Sequence, residues 1–182
     1  MKISIPQTLS AALQARAPRL KRTLSEVRRT AEARDANEAA LEELPEKIEL
    51  AERNCDVSDE KSTSAIASDK NKLAAAQRQQ QDRDREHADA LEAHRAELDA
   101  TTNAVQVVIA HLSPLVEARV AKHLSVVMEE NEARALVRQT ATWRAFTELA
   151  CCRFAGIADP SAATEEALRI IQVLLSEELP IP

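Results

Sequence analysis

The chain has 182 residues, a formal net charge of −6, 30% charged residues and only 2% aromatics. Its single glycine excludes phosphate-cradling loops, dinucleotide-binding turns and the strained turn of a serine hydrolase, each of which needs several glycines. A sheet-rich fold with tight hairpin turns is disfavoured for the same reason, and long, thin helical packing is the class that remains.

Residues 1–7 read as an N-terminal tail, and Thr8 or Ser10 can cap a first helix. Leu13, Leu20, Val27, Leu41 and Ile48 then fall at multiples of seven, with Ala17, Leu24 and Ala31 on the same stripe. Pro18 and Pro45 interrupt this arm without shifting its phase, so they read as kinks or restarts. The arm decays near Asn54, and residues 55–70, rich in Ser, Asp and Thr, read as a polar tip. Ser68 or Asp69 caps a return helix carrying Leu91, Leu98, Val105 and Leu112, again seven apart.

Two such series predict an antiparallel coiled-coil helical hairpin over 8–113. A register in which residue i faces residue 125 − i matches Leu13 with Leu112, Leu20 with Val105 and Val27 with Leu98. It also sets Arg28 and Arg29 near Glu97 and Glu92. Towards the tip it places Arg34 against Leu91, Leu41 against Asp84 and Ile48 against Gln77. The stem is therefore expected to be firm and the distal half weakly held.

Ser113-Pro114 reads as a cap and first helical residue, opening a C-terminal helical base over 114–182. Val116, Val120, Leu124 and Val127 line one face there. A second helix bears Leu136, Trp143, Phe146, Ala150 and Phe154 and is ended by Gly156 as a left-handed cap. Asp159-Pro160 starts a last helix with Leu168, Ile171, Leu175 and Leu179 on one side. The fold class expected is all-α, a long hairpin projecting from this small base.

Cys55, Cys151 and Cys152 lack metal-ligand spacing, and His87 and His94 stand about 10 Å apart along a helix, so neither a metal nor a cofactor is expected. Adjacent Cys151 and Cys152 read as small core residues. No serine, cysteine or histidine is placed by a motif, so no catalytic residue is assigned and no small-molecule substrate is evident. The start MKISIPQTLS has no apolar run of signal-peptide type, and no run reads as long enough to cross a membrane. A cytoplasmic setting is the expectation.

Charge is uneven. Residues 1–30 hold seven basic side chains against Glu26, while 31–60 hold eleven acids against Arg34, Lys47 and Arg53. Arg16, Arg19, Arg22 and Arg29 are the candidates for nucleic-acid contact. At the tip, Asn54-Cys55-Asp56-Val57-Ser58-Asp59-Glu60 is similar to the acidic tip of bacterial transcript-cleavage factors. Those coiled-coil hairpins enter the secondary channel of RNA polymerase and hold a metal ion with tip carboxylates. The likeness implies a partner-binding tip at Asp56, Asp59 and Glu60, while the β-rich C-terminal domain of that family has no counterpart here.

The leading expectation is a non-enzymatic interaction or scaffolding protein that self-associates or docks onto a protein assembly. Leu168, Ile171 and Leu175 are the expected oligomer contact. A polymerase-channel regulator and a nucleic-acid-associated factor are the alternatives. Seventeen Arg against seven Lys, with abundant Ala, suits a bacterial or phage origin.

Overall fold

The computed structural model describes residues 5–54, 60–137 and 139–176. Among these there is no strand. The elements are α1 (Gln7–Gln14), α2 (Arg16–Arg53), α3 (Glu60–Leu124), α4 (Glu130–Val137), α5 (Ala141–Ala150), a 3-10 turn (Arg153–Gly156) and α6 (Pro160–Leu175). The all-α hairpin expectation holds. Runs of Ala, Glu, Arg, Gln and Leu, with little to break them, carry the two long helices.

Several boundaries differ from those expected. No side chain caps α1; the Pro6 carbonyl accepts from the Leu9 and Ser10 amides at 3.0 Å instead of a Thr8 or Ser10 hydroxyl acting as cap. Pro18 falls in the first turn of α2, where its missing N–H costs nothing, whereas Pro45 lies inside that helix. The return helix begins at Glu60, well before Ser68. Ser113-Pro114 starts nothing: α3 runs through it, and the Ser113 hydroxyl donates to the Ile109 carbonyl at 2.8 Å.

The chain divides into two compact units, residues 1–24 with 94–182, and residues 25–93. The division falls short of residue 114, because the stem of the hairpin belongs with the C-terminal helices.

In the 25–93 unit, segments of α2 and α3 run antiparallel. Thr30 Oγ1 lies 3.1 Å from His87 Nδ1, and Asn37 Nδ2 donates to Gln80 Oε1 at 2.6 Å and to the Ala76 carbonyl at 3.1 Å. Further along, Lys47 pairs with Asp69 at 3.7 Å and Lys70 with Glu52 at 2.5 Å. The residue numbers 30 and 87, like 37 and 80, add to 117. The sum of 125 is thus overturned. The true register is displaced by eight residues, about 12 Å of helix.

Layers at this sum make physical sense of the whole unit. Val27 is level with Ala90, Leu41 with Ala76, Leu44 with Leu73 and Ile48 with Asp69, and every one of these residues is buried or half-buried. Three layers between them are polar: Thr30 with His87, Arg34 with Arg83, and Asn37 with Gln80. The weak zone therefore sits in the middle of the unit as a polar belt, and the expected weak distal half has apolar layers of its own.

On α3 the inward positions step by three and four residues through Ala76, Gln80, Arg83, His87 and Ala90. They then take two steps of four, to His94 and Leu98. Two fours in succession add a residue to the repeat, which rotates the seam around the helix. This slip falls where the units divide. It leaves Leu91, expected in the seam, 37% exposed, while Ala90 is buried.

The other unit holds the bulky core. Leu13 and Leu20 are fully buried with Val105, Leu112 and Val116 of α3, Phe146 of α5, Phe154, and Ile170 and Leu174 of α6. Full burial of each Leu is worth about 1.5–3 kcal/mol. Arg16 and Glu97 form an ion pair at 3.0 Å across α2 and α3. Thr140 caps α5 by accepting from the Trp143 amide at 3.2 Å, and the Trp143 and Phe146 rings meet at 6.0 Å with a 42° tilt.

The helix expected to run from Leu136 to Gly156 is broken into α4, α5 and the 3-10 turn. Its left-handed residue is Cys152 at φ 43°, and Gly156 has no positive φ. Asp159 caps α6 as expected, accepting from the Ser161 and Ala162 amides at 3.1 and 3.2 Å with Pro160 in the first position. Contrary to the expectation of no membrane-length run, α3 contains an 18-residue window of mean hydropathy 1.3, a third of it buried.

Candidate interaction surfaces

The sequence-derived sites fare unevenly. Asp56 and Asp59 lie outside the described residues, and Glu60 is the first residue of α3. Of the basic candidates in the core-bearing unit, Arg16 is taken up by Glu97, while Arg19 and Arg22 are exposed. Arg29, in the 25–93 unit, is clamped by Glu26 through two hydrogen bonds of 3.1 and 2.6 Å, which raise its pKa further above the usual guanidinium value. It is not directed at Glu92, as the 125 register had it. The four arginines do not form one uncompensated basic face.

Ile171 is buried in the core of its own unit, and Leu168 and Leu175 are half-buried. The inward face of α6 is instead Ala163, Thr164, Ala167, Ile170, Ile171 and Leu174. Packing within the chain thus occupies much of the face expected to join two copies.

The cysteines split. Cys152 is buried with its Sγ 4.0 Å from the Thr102 carbonyl, and burial pushes its thiol pKa up; Cys151 is exposed. A cleft lined by Glu148, Arg153, Glu166 and Arg169 lies between α5 and α6. Its charges are matched: Arg169 binds both Glu166 oxygens at 2.8 and 2.7 Å, and this bond holds the Glu166 carboxyl below its ordinary range. Such a neutralised pair has little left to offer a ligand. No group of three or more metal-ligating side chains occurs among the described residues.

Both seam histidines are engaged by threonines. His87 meets Thr30, and His94 lies between Thr23 Oγ1 at 2.8 Å and Thr164 Oγ1 at 3.2 Å. Neither reads as a metal ligand. That His94 would reach a third helix could not be inferred from heptad spacing, because Thr164 lies seventy residues away.

A surface that the sequence reading passed over lies on α3 in the core-bearing unit. Residues 100–116 contain no Asp, Glu, Lys or Arg, in a chain that is 30% charged. Val105, Val108, Leu112 and Val116 turn one side of this segment into the core. The opposite side, with Asn103, Gln106, Val107, Ala110, His111, Pro114 and Leu115, is exposed. Val107 retains 54% and Leu115 44% of its surface. In the turn after α3, Val126 and Val127 stand 84% and 82% exposed. Single exposed apolar residues are ordinary; a helix face with no charge over more than four turns is not.

Comparison with known proteins returns no match to a family model, to a curated protein or to a solved structure.

Proposed function

We propose that this chain is a non-enzymatic coiled-coil protein that works by association, and that the uncharged outer face of α3 is where a second copy of the chain docks. The observation that carries this reading is the charge-free exposed segment around Val107 and Leu115. A two-fold dimer needs a patch complementary to itself, and a helix face free of Asp, Glu, Lys and Arg that carries Val107 and Leu115 meets that condition without like charges opposing one another. A face patterned with one sign of charge would not. Docking onto a larger protein assembly uses the same chemistry, since association gains come from apolar area removed from water.

Sedimentation equilibrium of the full chain and of Val107→Glu/Leu115→Glu tests the proposal. The wild type is expected to dimerise and the double variant to be monomeric with its helix content retained. A wild type that stays monomeric at high concentration, or a variant that dimerises equally well, would overturn it.

A further inference from the structure

His94 is the one basic side chain buried in its unit among the described residues, 2% exposed. Its two ring nitrogens are both used, and by different helices. Nδ1 lies 2.8 Å from Thr23 Oγ1 on α2, and Nε2 lies 3.2 Å from Thr164 Oγ1 on α6. Each hydroxyl also faces a carbonyl of its own helix. Thr23 Oγ1 is 3.1 Å from the Leu20 carbonyl, and Thr164 Oγ1 is 2.8 Å from that of Pro160.

A hydroxyl has one proton to give, and a neutral imidazole has one donor and one acceptor. With a neutral ring, one threonine accepts from the ring N–H while the other turns its proton towards the bare nitrogen. All three groups are then satisfied without any charge. Adding a proton to the ring makes donors of both nitrogens, towards the threonine hydroxyls and the Pro160 carbonyl, so the cost of protonation lies in burying the charge and not in losing these bonds. The proton places a cation where water does not reach.

The charged surroundings do little to compensate. On α3, Glu97 acts favourably on a protonated ring, yet its carboxylate is bonded to Arg16 of α2 at 3.0 Å. From α2 come the Thr23 hydroxyl and the Arg16 guanidinium that holds Glu97. From α6 come the Thr164 hydroxyl and the Pro160 carbonyl, and the neighbouring Asp159 carboxylate is engaged with the Ser161 and Ala162 amides.

We propose that His94 is a proton-sensitive clasp, which when neutral ties α2 to α6 through the two threonine hydroxyls and when protonated loosens α6 from its unit. Loosening α6 uncovers the face that Ala163, Ala167, Ile170 and Leu174 bury. Acidification thereby exposes apolar surface in the half of the chain that holds the bulky core.

The direction of the effect follows from linkage. Burial lowers the His94 pKa from the ordinary 6.5, so between 6.5 and the folded-state value the unfolded chain binds the proton and the folded one does not. Stability is full above pH 6.5 and falls as pH drops through that window. One group acting alone changes the folding constant by up to tenfold per pH unit there.

The experiment is a set of urea titrations of the full-length chain from pH 7.5 to 4.5, followed by Trp143 fluorescence, for wild type and for His94→Gln. Glutamine keeps a donor and an acceptor but does not titrate. The expected result is a fall in the wild-type folding constant that sets in below pH 6.5, steepening to at most about tenfold per pH unit, and that is clearly smaller in His94→Gln. Histidine-ring NMR of the wild type gives a readout independent of whether the variant folds, with the His94 ring titrating below 6.5. An equal pH dependence in both chains, or a His94 ring that titrates at or above the ordinary histidine value, would overturn the proposal.

Discussion

The Asn37–Gln80 layer allows the polar belt to be measured. Asn37 Nδ2 makes two bonds across the seam, 2.6 Å to Gln80 Oε1 and 3.1 Å to the Ala76 carbonyl. Net contributions of about 0.5–1.5 kcal/mol per bond put the loss on Asn37→Leu at about 1–3 kcal/mol. The lower half of that range is expected, because both side chains are only half-buried. Gln80→Leu alone leaves the Asn37 bond to Ala76 in place and is expected to cost about 1 kcal/mol or less. Replacing both residues creates an apolar layer next to that of Leu41 and Ala76. Such conversions of paired polar groups are commonly neutral or stabilising, so the double variant should recover most of the loss. Amide hydrogen exchange along α2 residues 30–44 reads the opening free energy of this region directly. The coupling energy expected from the cycle is at least about 0.5 kcal/mol. Single and double changes that simply add would refute the pairing.

Further perturbations discriminate buried from exposed positions. Leu20→Ala, at a fully buried site, should cost about 2–5 kcal/mol in urea unfolding, whereas Leu91→Ala, at an exposed one, should stay within about 0.5 kcal/mol. Asp159→Ala removes both acceptors at the start of α6 and should lower the stability of its unit by about 1 kcal/mol, read by Trp143 fluorescence. A thiol reagent should modify Cys151 quickly and Cys152 only on unfolding, with peptide mass spectrometry assigning the sites.

What the sequence showed of this fold depends on which residues fill the seam. On α2 the inward positions are Leu20, Val27, Leu41 and Ile48, so the heptad is visible and correctly phased. On α3 between Asp69 and Ala90 the matching positions are Asp69, Ala76, Arg83 and Ala90, with Gln80 and His87 between them. Leu73 is the one large apolar residue among these inward positions, so little apolar contrast marks that face. Leu91, one residue out of phase, continues the series of Leu98, Val105 and Leu112 and draws the register eight residues away. Polar layers carry their information in pairing, which a single strand of sequence does not display. The caps of α6 were legible, because Asp-Pro before an apolar run states its own geometry. The cap at Cys152 was not, since a left-handed cysteine is held by its surroundings. The uncharged face at 100–116 was visible as composition, and only the structure separates its buried side from its exposed one.

Pairing of α2 with α3 within one chain, at a residue sum of 117, is open to a direct chemical test. Leu44→Cys/Leu73→Cys places two thiols on one layer at that sum, and Leu44→Cys/Gln81→Cys does so at 125. Eight residues displace the second pair by about 12 Å along the helix, beyond the roughly 4.4–6.8 Å that a disulfide allows between Cα atoms. Mild oxidation, followed by non-reducing electrophoresis and mass spectrometry of the linked peptides, should close the first pair within a monomer and leave the second open. Closure of the 44–81 pair, or a 44–73 link found only between chains, would contradict it.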